Sequence, residues 1–252
     1  MYTFLNNGVT AHRGNSDDWP QNTLPAFQSG IELGADWLEL DAHLTKDDEL
    51  VVIHDGNTKS VGDRTVVVAE ATYDELRQVD AATKFRAAKG LSLEQCPKGT
   101  VPRLAEVIQL VKAQDKTRVS IQPKADCVDE IMALLHDMDA LDWAGFNDGD
   151  LRKMQRVKTL APAVPVFWDR GPDNDIASDV ETALAAGFES IVIHYSGLTL
   201  AKVDAIHAAG LQAGAWTVND AETMARLLGL GADRLYTDCP KRLLEIQKGL
   251  AR

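Results

Sequence analysis

The chain has 252 residues, 45% of them hydrophobic, which fits one large α/β domain over residues 1–252 with a substantial core. Its net charge of −12 makes nucleic acid and anionic membrane surfaces poor partners for the molecule as a whole. Because the sequence has no run of roughly 18 apolar residues and no basic, apolar leader, we expect a cytoplasmic protein without a membrane span, of unknown oligomeric state.

Short apolar segments recur along the chain and are predicted to be β-strands. They are Val9–His12, Trp37–Asp41, Val51–His54, Arg118–Gln122, Asp142–Phe146, Val164–Trp168, Ser190–His194, Gln212–Thr217 and Arg234–Thr237. Helical composition or periodicity is found between most of them, over Leu24–Leu33, Leu104–Ala113, Val128–Met138, Gly149–Leu160, Ile176–Ala186, Leu200–Ala209 and Ala221–Leu230. Glycine just before a strand, as in Leu33-Gly34-Ala35-Asp36, marks a helix-to-strand joint, and repeated joints imply a parallel sheet.

The predicted strands are one more than an eight-stranded α/β barrel needs, so one of them must be short or lie outside the barrel. The gap between Asp41 and Val51 is too short for a helix. Residues 56–100 form an irregular insertion with one predicted helix, Tyr73–Val79, and such a long excursion is typical of a functional lid or a small subdomain. The segment Asp169–Asp173 is predicted to be a solvated loop without an assignable role.

Ionisable residues follow three of the apolar segments directly. These residues are His12-Arg13-Gly14, Glu39-Leu40-Asp41 and His54-Asp55. Parallel α/β barrels build active sites at the carboxyl ends of their strands. Two histidines can divide acid and base duty near neutral pH, and Glu39 and Asp41, two apart on a strand, point to the same side. The pattern therefore predicts metal-assisted acid/base chemistry.

Motifs spread over nearly the whole chain occur together in one order. They are His12-Arg13-Gly14, Pro20-Gln21-Asn22-Thr23, Glu39-Leu40-Asp41, Leu44-Thr45-Lys46-Asp47, His54-Asp55, Val101-Pro102-Arg103-Leu104-Ala105-Glu106, Trp216-Thr217-Val218-Asn219 and Thr237-Asp238-Cys239-Pro240. Each fragment alone is weak, but the combination is highly specific. It resembles the glycerophosphodiester phosphodiesterase family.

The resemblance implies a phosphatidylinositol-phospholipase-like (β/α)8 TIM barrel that cleaves a small-molecule phosphodiester to glycerol 3-phosphate and an alcohol. It implies that His12 and His54 act as general acid and base through a cyclic phosphate intermediate. By the same resemblance Arg13 and Lys124 hold phosphate oxygens, Trp216 lies against the substrate, and Mg²⁺ or Ca²⁺ bridges carboxylates and phosphate. One histidine must be neutral and the other protonated, which predicts a bell-shaped pH profile.

The chain departs from the family at two positions where glutamate usually binds the metal. Gln21 and Gln122 stand there, so the implied cation site keeps two carboxylates, Glu39 and Asp41, and two amide oxygens. An amide oxygen can still bind a hard cation, but fewer carboxylates generally mean weaker Mg²⁺ or Ca²⁺ binding. We therefore expect a weakened metal site.

Two alternatives stay open at this point. One is an enzyme of related specificity, such as a phospholipase-D-like or lysophospholipid-cleaving enzyme. The other is a non-catalytic relative that binds a phosphate ligand, against which the intact His12 and His54 argue, because a binding protein has no need of a general acid. The leaving alcohol cannot be derived from the sequence.

Overall fold

The structure is a computed structural model that describes residues 4–250. Its strands are β1 Val9–His12, β2 Trp37–Leu44, β3 Leu50–Val52, β4 Arg118–Pro123, β5 Ala144–Asp148, β6 Val166–Arg170, β7 Ser190–His194, β8 Gln212–Trp216 and β9 Arg234–Thr237. All of them except β3 are parallel, and their hydrogen-bonded order runs β1-β2-β4-β5-β6-β7-β8-β9 and back to β1. The sheet is a closed eight-stranded barrel, so the predicted (β/α)8 fold is confirmed.

Helices surround this barrel. Within residues 4–250 they are α1 Leu24–Leu33, α2 Tyr73–Leu76, α3 Thr83–Lys89, α4 Leu104–Lys112, α5 Val128–Asp137, α6 Leu151–Leu160, α7 Ile176–Ala186, α8 Leu200–Ala208, α9 Ala221–Gly229 and α10 Pro240–Leu250. Helices α1 and α7 have the predicted bounds, whereas α3 and α10 were not predicted. In the part of the chain that the structure describes, no helix is long and apolar enough to cross a bilayer.

The extra strand is β3, which lies outside the barrel and pairs antiparallel with the end of β2, placing Val52 opposite Ala42. The expectation that one strand is short or external is therefore confirmed. The predicted strand Val51–His54 is consequently the second strand of a β-hairpin with β2 and not a barrel strand. Its backbone still returns to the barrel mouth, because the Ile53 N–H donates to the Asp41 carbonyl at 3.0 Å, and His54 follows directly.

Strand alternation divides the residues of β2 between two environments. Leu38 and Leu40 belong to the large apolar core shared with the helices, whereas Trp37 packs with residues from three other strands. This second cluster, called here the aromatic plug, consists of Trp37, Phe167, Val192 and Tyr236. The ring centroids of Trp37 and Phe167 are 4.9 Å apart. Gly145 makes room for both rings, since a Cβ there would lie 3.0 Å from Phe167 and 3.1 Å from Trp37.

The insertion over residues 56–100 contains α2, α3 and a 3-10 turn at Val68–Glu70. Helix α2 is shorter than the predicted Tyr73–Val79, and its first turn is closed by a capping box between Thr72 and Glu75. Apolar residues of the insertion, such as Val61 and Leu76, are buried in one cluster with Val51 of β3 and with Val101, which follows the insertion. The insertion is thus a packed unit beside the barrel mouth and not a loose loop.

Asp80 connects separate segments of this insertion, and its replacement by asparagine tests how much these contacts stabilise the protein. Its carboxylate accepts from the N–H groups of Ala82 and Gly99, each at 3.1 Å, and pairs with Arg86. Burial opposes ionisation, but these hydrogen bonds outweigh it and lower the pKa of Asp80. Asp80→Asn is expected to lower the free energy of unfolding by about 1–3 kcal/mol, because the charged acceptor is lost.

The pH dependence of that difference gives the control. A carboxyl whose pKa is lowered on folding stabilises the protein above its unfolded-state pKa of about 3.9, and this contribution is lost as the pH falls through the folded value. Urea unfolding should therefore separate Asp80→Asn from wild type at pH 7 and progressively less below about pH 4. Asp74→Asn, an exposed carboxylate of the same insertion, should change little, and an equal loss there would contradict the assignment.

Candidate active site

A cavity of about 460 Å³ lies at the carboxyl end of the barrel strands. Its lining includes most of the residues that the sequence singled out, namely His12, Arg13, Glu39, His54, Gln122, Lys124 and Trp216. Asp41 is fully buried, with ion-pair contacts to Arg13 and Lys124. Gln21 lines a neighbouring groove instead. The structure therefore brings the predicted residues together at one mouth, in two adjoining spaces.

His12 ends strand β1 and is oriented by Asp238. The Nδ1 atom of His12 lies 2.7 Å from Oδ1 of Asp238, and since an ionised carboxylate only accepts, Nδ1 carries the proton. The other ring nitrogen, Nε2, lies 3.9 Å from Oε2 of Glu39. Burial lowers the pKa of His12, but the charge of Glu39 and the hydrogen bond to Asp238 outweigh it, so the pKa is raised overall. The protonated ring is thereby favoured.

His54 is held in the same way by the residue that follows it. Its Nδ1 atom lies 2.7 Å from Oδ1 of Asp55, whose other oxygen accepts from Ser60 at 2.5 Å. Its Nε2 atom lies 3.1 Å from Nζ of Lys124. Because a lysine ammonium can only donate, Nε2 of His54 accepts, and the ring is neutral in this arrangement. His43 supports the backbone here through a contact of 3.1 Å to the His54 carbonyl.

The turn after β1 directs Arg13 toward the carboxylates. Arg13 has a positive φ of 56°, which is unfavourable for a residue with a side chain. Its N–H donates to Oε2 of Glu39 at 3.1 Å, and its Nη1 donates to Oε1 of Gln21 at 2.6 Å. Gly14 then lets the chain pass α1, because a Cβ there would lie 2.7 Å from the carbonyl carbon of Ala26. The strained turn is thus held by contacts at both ends.

Asp41 lies at the centre of the charged groups. Its Oδ2 accepts from Asn22 at 2.8 Å and lies 3.4 Å from Nε of Arg13. Its Oδ1 lies 3.6 Å from Nζ of Lys124 and is buried without a hydrogen bond from any residue that the structure describes. Gln122 is the register partner of Asp41 on β4, and its Oε1 accepts from Lys124 at 3.0 Å. Two basic side chains therefore converge on one buried carboxylate.

The two carboxylates on β2 differ in their electrostatics. Burial, reinforced by the nearby charge of Asp41, raises the pKa of Glu39 to about 7. Glu39 is 2% exposed and Asp41 is completely buried, so water screens their repulsion poorly. A positive charge placed between them would stabilise both ionised forms.

A second groove of about 630 Å³ shares His12 and Arg13 with the cavity. We call it the outer groove, and it runs between the barrel mouth and the insertion. It is lined by Lys84 and Phe85 of α3 and by Arg242 of α10. His12 and Arg13 therefore form the wall between two spaces, one inside the barrel mouth and one outside it.

Several site residues were missed or misplaced from the sequence. Asp55 and Asp238 lay inside quoted motifs but received no role, and Asn219 was given none in particular, although its side chain donates to Asp238 at 2.6 Å. The expected solvated loop at Asp169–Asp173 is wrong at its start, because β6 continues through Arg170 and Asp169 lines the cavity. The alternation Phe167, Asp169 was the available signal, hidden because the strand was expected to end two residues earlier.

Known proteins share the sequence pattern and the fold of this chain. The profile of the Glycerophosphoryl diester phosphodiesterase family matches residues 12–242. A glycerophosphodiester phosphodiesterase of Bacillus altitudinis is 29% identical over 249 residues, covering 95% of this chain and 98% of the relative. One of Caldanaerobacter subterraneus is 29% identical over 250 residues, covering 96% and 98%. The structure of an Oleispira antarctica phosphodiesterase in complex with the product sn-glycerol-3-phosphate superposes with a TM-score of 0.83, at 24% identity and covering 97% and 98%.

The contact between His12 and Asp238 is testable without substrate. Asp238→Asn removes a carboxylate that raises the pKa of His12, so that pKa should fall. The measurement is an NMR titration of the histidine ring protons, with the His12 signal identified in a His12→Asn variant. Asp233→Asn is the matched control, because Asp233 contacts His207 at 2.7 Å in a remote pair. An unchanged His12 pKa in Asp238→Asn would contradict the role of Asp238.

Proposed function

Because the chain belongs to the glycerophosphoryl diester phosphodiesterase family, we propose that it hydrolyses glycerophosphodiesters to glycerol 3-phosphate and an alcohol. The observation that supports this most directly is the pair of histidines at one cavity, each with Nδ1 held by a carboxylate and with basic groups close by. The neighbour that binds sn-glycerol-3-phosphate has the same fold. His12, His54, Arg13, Lys124 and Trp216 are the residues proposed to act on the substrate.

Charge stabilisation is the task of Arg13 and Lys124 in this proposal. A phosphodiester carries one negative charge, which grows on the nonbridging oxygens as phosphorus becomes five-coordinate. A guanidinium and an ammonium held beside the cavity favour that state over the ground state. Asp41 holds both groups within 3.6 Å, so they need little reorganisation when the charge develops.

The two compartments support an assignment of the acid and the base. His54 lines the inner cavity and not the outer groove, and its Nε2 accepts from Lys124. When substrate replaces that contact, Nε2 is free to take the proton from the attacking glycerol hydroxyl. His12 borders the outer groove as well, so its Nε2 donates a proton to the leaving alkoxide there. The new bond joins the glycerol oxygen to phosphorus, and the bond from phosphorus to the alkoxide breaks. The products of this step are a cyclic glycerol phosphate and the free alcohol.

Hydrolysis of the cyclic phosphate reverses the roles. Neutral His12 takes a proton from water as the water oxygen attacks phosphorus. Protonated His54 returns a proton to the glycerol oxygen as the cyclic phosphate opens. Both histidines then regain their starting states. Trp216 forms part of the cavity wall, with its ring centroid 5.1 Å from that of His194. It is proposed to pack against the substrate.

A divalent cation, Mg²⁺ or Ca²⁺, fits these residues, although the site would offer fewer carboxylate ligands than is usual in the family. Within residues 4–250 no group of three or more His, Cys, Asp or Glu side chains is arranged to hold a metal ion. A cation is nevertheless suited by the buried Asp41 Oδ1, which has no hydrogen bond within residues 4–250, and by Glu39, whose ionised form is disfavoured by burial and by the charge of Asp41. Glu39 and Asp41 would hold it, helped by the amide oxygens of Gln122 and Gln21. When bound, it would neutralise charge on the phosphate oxygens.

The histidine roles predict opposite responses to the leaving group. Either His12→Ala or His54→Ala should reduce kcat/KM for glycerophosphocholine by about 10²–10⁴-fold. Glycerol p-nitrophenyl phosphate has a leaving group that needs no protonation, so kcat/KM for release of p-nitrophenol should recover mostly in His12→Ala and not in His54→Ala. His207→Ala, in the remote pair, is the control. Equal recovery by both variants would sink the assignment, and full activity of either would remove it from the mechanism.

The two glutamines are expected to affect metal affinity to different extents. Calorimetric titration of chelator-treated protein with Mg²⁺ or Ca²⁺ should show weak binding, and Gln122→Glu should tighten it by about tenfold or more, since a carboxylate replaces an amide beside Asp41. Gln21→Glu should tighten it less, because the Gln21 oxygen faces Arg13. No change in affinity in the double variant would show that neither position faces the cation.

A further inference from the structure

The inner end of the cavity carries a polar pair that the proposed mechanism does not use. Asp169 on β6 and Asn147 on the neighbouring β5 both line this cavity. Asn147 is 3% exposed, and Oδ1 of Asp169 is buried without a hydrogen-bond partner among the described residues. A buried carboxyl oxygen is normally satisfied, so an unsatisfied one at a ligand cavity is a candidate binding group.

The orientation of Asp169 is set by a chain of side-chain contacts. The hydroxyl of Ser120 donates to Oδ1 of Asn147 at 2.7 Å, which fixes the direction of the amide. The Nδ2 of Asn147 then donates to Oδ2 of Asp169 at 3.1 Å. Because Oδ2 is occupied in this way, Oδ1 is the oxygen left without a hydrogen-bond partner among the described residues.

The chemistry of this pair suits a hydroxyl group. Burial, opposed by the hydrogen bond from Asn147 and reinforced by the charge of Glu39, raises the pKa of Asp169 to about 8. A neutral carboxyl offers both a donor and an acceptor, and an ionised one still accepts from a hydroxyl. Either form can therefore bind an alcohol.

The aromatic plug limits what can extend past Asp169. Tyr236 belongs both to the plug and to the cavity lining, and Trp37 and Phe167 of the plug are at most 1% exposed. The plug therefore bounds the cavity where Tyr236 lines it, and an acyl chain extended toward Tyr236 would meet packed aromatic side chains.

We propose that Asp169, oriented by Asn147, binds the terminal hydroxyl of the glycerol moiety and selects deacylated glycerophosphodiesters over 1-acyl lysophospholipids. This rests on the proposed function, with glycerol in the inner cavity and the leaving alcohol in the outer groove. In a lysophospholipid the terminal oxygen is esterified, so it has no proton to donate and carries a chain toward the plug. Asp169 is a specificity residue here, separate from the histidines that transfer protons.

Binding of two small ligands tests this without turnover. Glycerol 3-phosphate and propane-1,2-diol phosphate, which lacks only the terminal hydroxyl, are titrated into wild-type protein by calorimetry. Wild type should bind the deoxy compound at least about tenfold more weakly, since without the terminal hydroxyl the buried Asp169 oxygen stays unpaired in the complex. Equal affinity for the two compounds would overturn the proposal, and this comparison needs no variant to fold.

Variants at Asp169 sharpen the test. Asp169→Ala should weaken glycerol 3-phosphate binding to the level of the deoxy compound while leaving the latter unchanged. Asp169→Asn should keep the discrimination, because an amide also exchanges hydrogen bonds with a hydroxyl. Asp173→Ala, a nearby exposed carboxylate, is the matched control and should behave as wild type. Discrimination that survives Asp169→Ala would refute the role of this residue.

Hydrolysis separates failure of this inference from failure of the proposed function. Wild type is given glycerophosphocholine and a water-soluble 1-hexanoyl lysophosphatidylcholine, and the deacylated substrate should have a kcat/KM at least about a hundredfold higher. Comparable hydrolysis of both would overturn the selectivity and leave the proposed reaction standing. No hydrolysis of any phosphodiester would contradict the proposed function, while the calorimetric comparison would still decide whether Asp169 recognises the hydroxyl.

Discussion

The burial of Asp41 is the constraint on which the candidate site depends. A carboxylate with no exposed surface is very unfavourable unless it is paired and hydrogen-bonded. Asn22, Arg13 and Lys124 approach it from the loop after β1 and from the end of β4. These groups reach the barrel mouth on two different segments, so neutralising one charge also fixes the positions of Arg13 and Lys124, which are proposed to contact the phosphate.

The two glutamines have an electrostatic meaning in this arrangement. Each amide oxygen accepts a hydrogen bond from one of the two basic side chains. The Gln21 oxygen lies 2.6 Å from Arg13, and the Gln122 oxygen lies 3.0 Å from Lys124. Glutamate at these positions would orient the basic groups equally well but would also cancel their charge. Glutamine orients them and leaves that charge available to an anion. In a chain with a net charge of −12, such local positive character matters for an anionic ligand.

Sequence reasoning worked where one signal decided the structure and failed where two competed. Apolar segments ending in charge predicted a parallel α/β barrel with polar strand ends and one strand too many. The family resemblance supplied the (β/α)8 fold and the further site residues Lys124, Trp216, Gln21 and Gln122. Strand β6 was predicted two residues too early, because the apolar Val164 fits a strand. The shift concealed that Asp169 lies in the strand and lines the cavity. The role of Asp238 could not be predicted because its contact with His12 joins residues 226 positions apart and leaves no local pattern. Helix α10 was overlooked through its lysine and arginine content, although Leu243 anchors it in the core.

The wall formed by His12 and Arg13 has a kinetic consequence under the proposed reaction. The alcohol departs into the outer groove, whereas the glycerol phosphate stays behind the wall in the inner cavity. The alcohol can thus diffuse away while the cyclic phosphate is still bound and has yet to be hydrolysed. Product release is therefore ordered, with glycerol 3-phosphate last, so this product competes with incoming substrate for the free enzyme and the alcohol does not.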